Sequence, residues 1–371
     1  MLFYLTDSLI VDKDSVDYPS IYNAVRNLAS AAFNSYHMLL GDENIVNRLK
    51  TWFAEDPVFR PLFDYIANQY VFGIPSFINY YVEVVKENPQ NIREDCGRCI
   101  AQMCYSDFRE TKNVQSTFLI GEDNNDCSFF RFICDWFIRK NAPTVNISFN
   151  DTNGGGSNTY REIEKALNNQ QFSLTIIDTD VRYPNQKPDI NSTYAKCKRV
   201  KGKKELFAVL PLTVHEIENL VPPNYIEQLD TWTSDKLSKG KQCYDCLQAK
   251  ADDFLPYFDL KNGIMLSKIT NDEAYYNFAE MCYLQNAELT STGMTFSQYC
   301  DSNLECGGKN DEDKIVYRGI FNGIMSKLLE KIEKKSLKGE PNLCNFQIEC
   351  WNKIAQNMLN WGIARNRESL S

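Results

Sequence analysis

Three acidic groups each stand just past a short apolar run, where carboxylates can gather to hold a divalent cation. The run 116–120 leads through Gly121 into Glu122, with Asp126 four residues further on. The run 174–177 leads directly into Asp178-Thr179-Asp180. The run 206–210 precedes Thr213-Val-His-Glu216-Ile-Glu218-Asn219. In an extended chain residues i and i+2 point the same way, so Asp178 and Asp180 are expected to face one spot. Carboxylates that converge without a lysine or arginine between them repel, and a hard cation relieves that repulsion. Mg²⁺ or Mn²⁺ suits such a set, keeping waters free for a substrate and polarising a bound phosphoryl oxygen. The same Asp-x-Asp also suits a helix cap or a turn.

Two further features point to phosphate. Gly154-Gly155-Gly156-Ser157 immediately precedes a helical run over 159–167, and backbone N–H groups at such a place can meet an anion. No Lys-Ser/Thr follows, so this is not a P-loop, and a plain glycine connector reads equally well. Lys196, Lys198, Arg199, Lys201, Lys203 and Lys204 fall within nine residues that hold no acid. That density suits a phosphate backbone, although a solvated loop has the same composition.

The elements that must position these groups alternate. From 113 to 225 short apolar runs and helical stretches take turns, the signature of βαβ units and a mainly parallel sheet. Residues 1–112 read as helical, with apolar positions at three-to-four spacing through Ile21, Val25, Leu28 and Ala32, and again through Phe77, Tyr80, Tyr81 and Val84. From 226 to 371 the pattern returns to helices, including 321–335 and 346–365, with a polar loop over 300–313. The expected fold class is therefore α/β at 113–225, between all-helical N-terminal and C-terminal regions.

At this point the residues resemble a family. Gly121-Glu122-x-x-x-Asp126, then Asp178-x-Asp180, then Glu216-x-Glu218-Asn219, each after a strand, resemble the TOPRIM domain of topoisomerases, bacterial primases and nucleases. The glycine approach to the second helix and the His-Glu-Ile-Glu-Asn element are most similar to TOPRIM nucleases of the overcoming-lysogenization-defect type, and to their stand-alone relatives in anti-phage defence. The resemblance covers 113–225. It implies a Mg²⁺-dependent nuclease in which Glu122 acts as metal ligand or general base, Asp178 and Asp180 hold the ion, and Glu218 with Glu216 completes a second metal position. One departure stands out: the family usually has glycine directly after the first glutamate, whereas this chain has Asp123. A catalytically degenerate adaptor that binds a partner or nucleic acid without cutting is the alternative. The resemblance also implies an ABC-type ATPase as partner, and since the chain carries no Gly-x4-Gly-Lys-Ser/Thr that ATPase would be a separate subunit; self-association is the other expected use of the flanks.

Composition bounds these readings. The chain has 371 residues and a formal charge of −9. Segment by segment the net charge is −5 for 1–112, zero for 113–225 and −4 for the remainder, so the acidity lies outside the module expected to meet nucleic acid. No stretch has the roughly 18 apolar residues a membrane span needs, and no membrane association is expected. Thirteen cysteines without a secretion signal point to reduced thiols and a cytoplasmic protein. Cys96/Cys99 and Cys243/Cys246 are Cys-x-x-Cys pairs that a structural Zn²⁺ could use, but their separation favours scattered core thiols. His37 and His215 are read as structural or solvated.

Overall fold

The computed structural model describes residues 1–366 except 70–72, 91, 230–234, 249, 286–289, 292, 303–314 and 321. The chain forms two compact units, each drawn from separated segments: 1–177, 196–210 and 352–371 in the first, 178–195 and 211–351 in the second. Among the described residues no helix is long and apolar enough to cross a membrane.

Among the described residues the first unit carries a five-stranded and a four-stranded sheet, with one further two-stranded pair. One has five strands, β1 (Leu2–Leu5), β2 (Met38–Gly41), β3 (Tyr80–Val85), β4 (Ile92–Asp95) and β5 (Arg98–Cys104), in the order β2-β1-β3-β5-β4. All neighbours are parallel except the β4–β5 hairpin, closed by Cys96 and Gly97 at positive φ. Helices α1 (Tyr18–Phe33), α2 (Glu43–Trp52) and α3 (Phe59–Gln69) lie between these strands in the chain. This corrects the all-helical expectation for 1–112. Leu2-Phe-Tyr-Leu5 and Tyr80–Val85 are almost wholly buried, as parallel strands covered on both faces must be. Such strands read as unbroken apolar runs, and Tyr80, Tyr81 and Val84 happen to match helical spacing as well.

The second sheet is the α/β module expected from the sequence. Its strands β6 (Thr117–Gly121), β8 (Phe149–Asn153), β9 (Ser173–Ile177) and β10 (Phe207–Pro211) run in the order β10-β9-β6-β8. β6 is parallel to both β8 and β9. Helices α4 (Asn124–Asn141) and α5 (Thr159–Asn168) follow β6 and β8. α4 buries Phe129, Phe130, Ile133 and Cys134, and α5 buries Ile163 and Ala166. The last long helix, Asn345–Gly362, stops three residues earlier than the sequence suggests. Ile363–Arg365 forms β13, antiparallel to β7 (Val145–Ile147). Gly362 makes that switch possible because a Cβ there would lie 2.1 Å from the Phe149 ring.

The second unit has helices at Asp235–Gln248, Glu273–Gln285 and Ile324–Glu333, in a region expected to be all helical. It also contains one antiparallel pair, β11 (Gly263–Met265) with β12 (Ile315–Arg318). Tyr275, Phe278, Tyr283, Phe296 and Tyr317 are buried, so these aromatics form core rather than an exposed stacking surface. Of the polar loop expected over 300–313, residues 300–302 close a helix at Phe296–Ser302 and the rest lie outside the described residues.

Candidate acidic site

In the first unit β6 runs out at Gly121, where a Cβ would lie 2.9 Å from the Asp123 carbonyl oxygen and the Asp126 Cβ. Glu122 follows, half-buried. Asp123 then starts α4: its Oδ1 accepts the N–H groups of Asn125 (2.6 Å) and Asp126 (3.2 Å). The Asp126 Oδ2 accepts the Asp123 N–H in return (3.0 Å). This reciprocal cap satisfies helix-start donors. It accounts for aspartate at position 123, and it commits one Asp126 oxygen to helix capping rather than to a metal.

The glycine loop serves the same turn. The Gly154 N–H donates to Gly121 O (2.9 Å), while those of Gly155 and Gly156 donate to Glu122 O (3.1 and 3.2 Å). The expected anion loop at Gly154, Gly155, Gly156 and Ser157 is therefore corrected. Its three glycine donors are spent on the backbone of residues 121 and 122, and the residue capping α5 is Asn158, not Ser157. The loop instead clamps the turn that presents Glu122. Glycine is required at 154 because a Cβ would sit 2.3 Å from Thr159 Oγ1 and 2.6 Å from Gly121 O. Gly154→Ala is expected to cost about 1–3 kcal/mol of stability through this overpacking. Chemical denaturation of the variant beside wild type measures it.

The basic run comes near the same turn. Helix α6 (Thr193–Lys198) buries Cys197, whose thiol is pushed up to about 12 by burial and then by the charge of Glu122. Lys198, Arg199, Lys201 and Lys204 are exposed, whereas Lys196 is half-buried and Lys203 pairs with Asp107 at 3.7 Å. The start of the run thus lies within electrostatic reach of Glu122.

β9 brings the second acidic group to the same end of the sheet. Ile120 pairs with Thr175, and that register carried two residues further sets Glu122 beside Ile177, the residue before Asp178. The extended backbone stops there. Thr179 is buried and its hydroxyl donates to Leu212 O (2.9 Å) and Val214 O (3.2 Å). The Asp180 N–H donates to His215 O (3.1 Å), and Asp180 turns into the left-handed region (φ +55°). Asp178 is half-buried; Asp180 is exposed and lines a polar cavity of about 450 Å³ with Arg182, Gln186, Lys187 and Asp189.

In the second unit the third acidic group is the most buried. His215, Glu216, Glu218, Asn219 and Asp259 are each less than 9% exposed. Lys261 reaches in, its Nζ 2.9 Å from Glu216 Oε2 and 3.1 Å from Glu218 Oε1. The other two oxygens, Glu216 Oε1 and Glu218 Oε2, are buried without a hydrogen-bond partner. The Asn219 side chain accepts the Glu216 N–H (2.9 Å) and donates to Leu255 O and Phe258 O (2.6 and 2.8 Å), so the turn is locked. Burial, then the neighbouring Glu218, pushes Glu216 up to about 7. Burial acts against the charge of Lys261, but the two carboxylates hold its ammonium above the usual lysine range. Burial also acts against Asp259, yet the His215 ring and Asn262 bring it down to about 2.

These shifts fix a pH dependence. Glu216 has a higher pKa folded than unfolded, so the folded chain holds the extra proton and stability falls as pH rises from about 4.5 to about 7. Asp259 has the opposite sign, and its contribution is lost only as pH falls from about 3.8 toward 2. In chelator-treated protein the thermal midpoint is expected to drop between pH 5 and 7.5, by an amount on the order of 5 °C. A Glu216→Gln variant, followed by calorimetry, should lack that drop.

His215, Asp259 and Lys261 were not expected in the site. His215 was read as structural or solvated, and Asp259 and Lys261 lie some forty residues from Glu216 in a segment without a motif. The Asp259-Leu-Lys261-Asn262 turn, with its self-satisfying aspartate, was the only local signal. His37 is buried and bonded to Gln115 O (2.9 Å), as a structural histidine should be. Among the described residues no cysteine joins a group with metal-ligand geometry. Compared with protein-family models, curated proteins and solved structures, the chain matches none.

Proposed function

We propose that the chain is a divalent-metal-dependent nuclease of TOPRIM type that hydrolyses phosphodiester bonds of DNA or RNA. The observation that carries this reading is the pair of adjacent parallel strands β6 and β9, each ending in a carboxylate at the same edge of the sheet. Ligands of open α/β sheets bind outside the carboxyl ends of the strands. By that resemblance Glu122, Asp178, Asp180, Glu216 and Glu218 are the candidate ligands, donors of the all-oxygen kind that Mg²⁺ or Mn²⁺ takes. When bound, such ions neutralise the phosphate and lower the pKa of a bound water. Glu122, held by the glycine loop, is suited to accept the proton of the attacking water. Lys198, Arg199, Lys201 and Lys204 would seat the phosphate backbone, and Lys261 pairs with both Glu216 and Glu218. By the same resemblance the chain would act as the effector of an anti-phage system, with a separate ABC-type ATPase or a second copy of itself on its acidic surfaces.

One observation favours a second reading, the non-cutting adaptor: Glu216 and Glu218 already share a protein cation in Lys261. The two readings separate in one assay. Purified protein is incubated with plasmid, phage DNA and tRNA, with Mg²⁺, Mn²⁺ or chelator. Cutting that requires the metal is expected; binding of nucleic acid without cutting under every condition would establish the adaptor instead.

A further inference from the structure

We propose that His215, Glu216 and Asp259 form a site for a borderline transition ion of the Zn²⁺ or Co²⁺ class, distinct in chemistry from the all-oxygen set. One ligand-capable atom from each of the three lies within 4.8 Å of the others, and all three residues are buried. The imidazole is oriented for the task. Its Nδ1 lies 3.1 Å from Val181 O, which can only accept, so a proton sits on Nδ1 and Nε2 is the ring atom that faces Asp259. Asp259 is oriented in the same way. Its Oδ1 takes the backbone N–H groups of Asn262 (2.7 Å) and Lys261 (3.2 Å), while Oδ2, which also accepts the Asn262 side-chain amide (3.2 Å), stands toward the ring.

The gap between these two groups points to an ion. His215 Nε2 and Asp259 Oδ2 are 3.8 Å apart, too far for a hydrogen bond and too buried for bulk water to bridge freely. Two ligands on one tetrahedral ion stand about 3.3 Å apart, so a contraction of about half an ångström brings this pair to ligand spacing. Glu216 Oε1, buried and without a hydrogen-bond partner, is the independent sign that a ligand belongs there. Charge agrees: three buried carboxylates, Glu216, Glu218 and Asp259, face Lys261 and, at 3.8 Å, the partly exposed Lys268. The three carboxylates outnumber the two lysines, and Lys268 has solvent to retreat into. A nitrogen ligand selects against Mg²⁺ and Ca²⁺, which take oxygen, and for the later transition ions. The site shares Glu216 with the proposed catalytic set but does not depend on cutting.

The test reads metal, not activity. Full-length protein, stripped with chelator and with its cysteines alkylated, is titrated with Co²⁺ and followed by visible absorption and metal analysis. One Co²⁺ per chain is expected, with no sulfur-to-metal charge-transfer band. His215→Gln and Asp259→Asn should each weaken binding by at least tenfold, whereas Glu122→Gln, which disables the proposed nuclease, keeps the spectrum. Zn²⁺ should raise the thermal midpoint of wild type and not that of a folded His215→Gln. Absence of stoichiometric Co²⁺, or a spectrum that survives both His215→Gln and Asp259→Asn in folded protein, overturns the proposal.

Discussion

Asp178→Asn and Glu122→Gln are each expected to reduce the proposed metal-dependent strand cutting by about 10³-fold, the range for losing a positioned acid–base group. Both substitutions keep the shape of the side chain and remove the charge, so the loss reports chemistry rather than packing. Asp178 directly follows β9, and Glu122 directly follows the neighbouring β6, beside Ile177 in the register. Neither is wholly buried, and thermal midpoints should therefore stay close to wild type. The measurement is plasmid cleavage with Mn²⁺ beside a melting curve for each variant. Cleavage at the wild-type rate by both variants would remove these residues from the site while leaving the fold intact.

Lys261→Met carries the largest expected effect on stability. Glu216 and Glu218 are 8% and 5% exposed, and Lys261 is the cation within hydrogen-bond distance of both. Removing one partner of a buried ion pair strands the other charge, at a cost of about 3 kcal/mol here, the low end of the range because the Lys261 side chain is 31% exposed. The sign with pH follows from the carboxylates. Without Lys261 the pKa of Glu216 rises beyond its present value of about 7, so the variant takes up a proton on folding. Destabilisation is then small at pH 5 and large at pH 8. Adding Glu216→Gln to Lys261→Met should recover stability at pH 8, because one of the stranded charges is gone. Equal destabilisation at both pH values would show that Lys261 acts by packing its aliphatic stem instead.

Several elements were legible because local pattern and tertiary role agree. The runs before Glu122, Asp178 and the Glu216 turn are strands, and the helix at 159–168 begins where the glycines end. The N-terminal sheet was not legible. Its strands are buried on both faces, so they lack the alternation that marks a half-exposed strand, and short apolar runs fit either geometry. The glycine loop shows a different limit. Its composition suits an anion, but whether an N–H is available depends on which carbonyl stands opposite, and β6 supplies two through its pairing with β8.

The types of chemistry were set by residue identity alone: carboxylates after strands, a basic run, and thiols without a ligand pattern. Hydrogen-bond donors and charges are then assigned by proximity. Asp126 became a cap and Lys203 an ion-pair partner, while His215, Asp259 and Lys261 joined Glu216 in one buried cluster. Burial raises the cost of every unpaired charge, so only the tertiary structure could decide which carboxylates are spent on the fold and which keep an oxygen for a ligand.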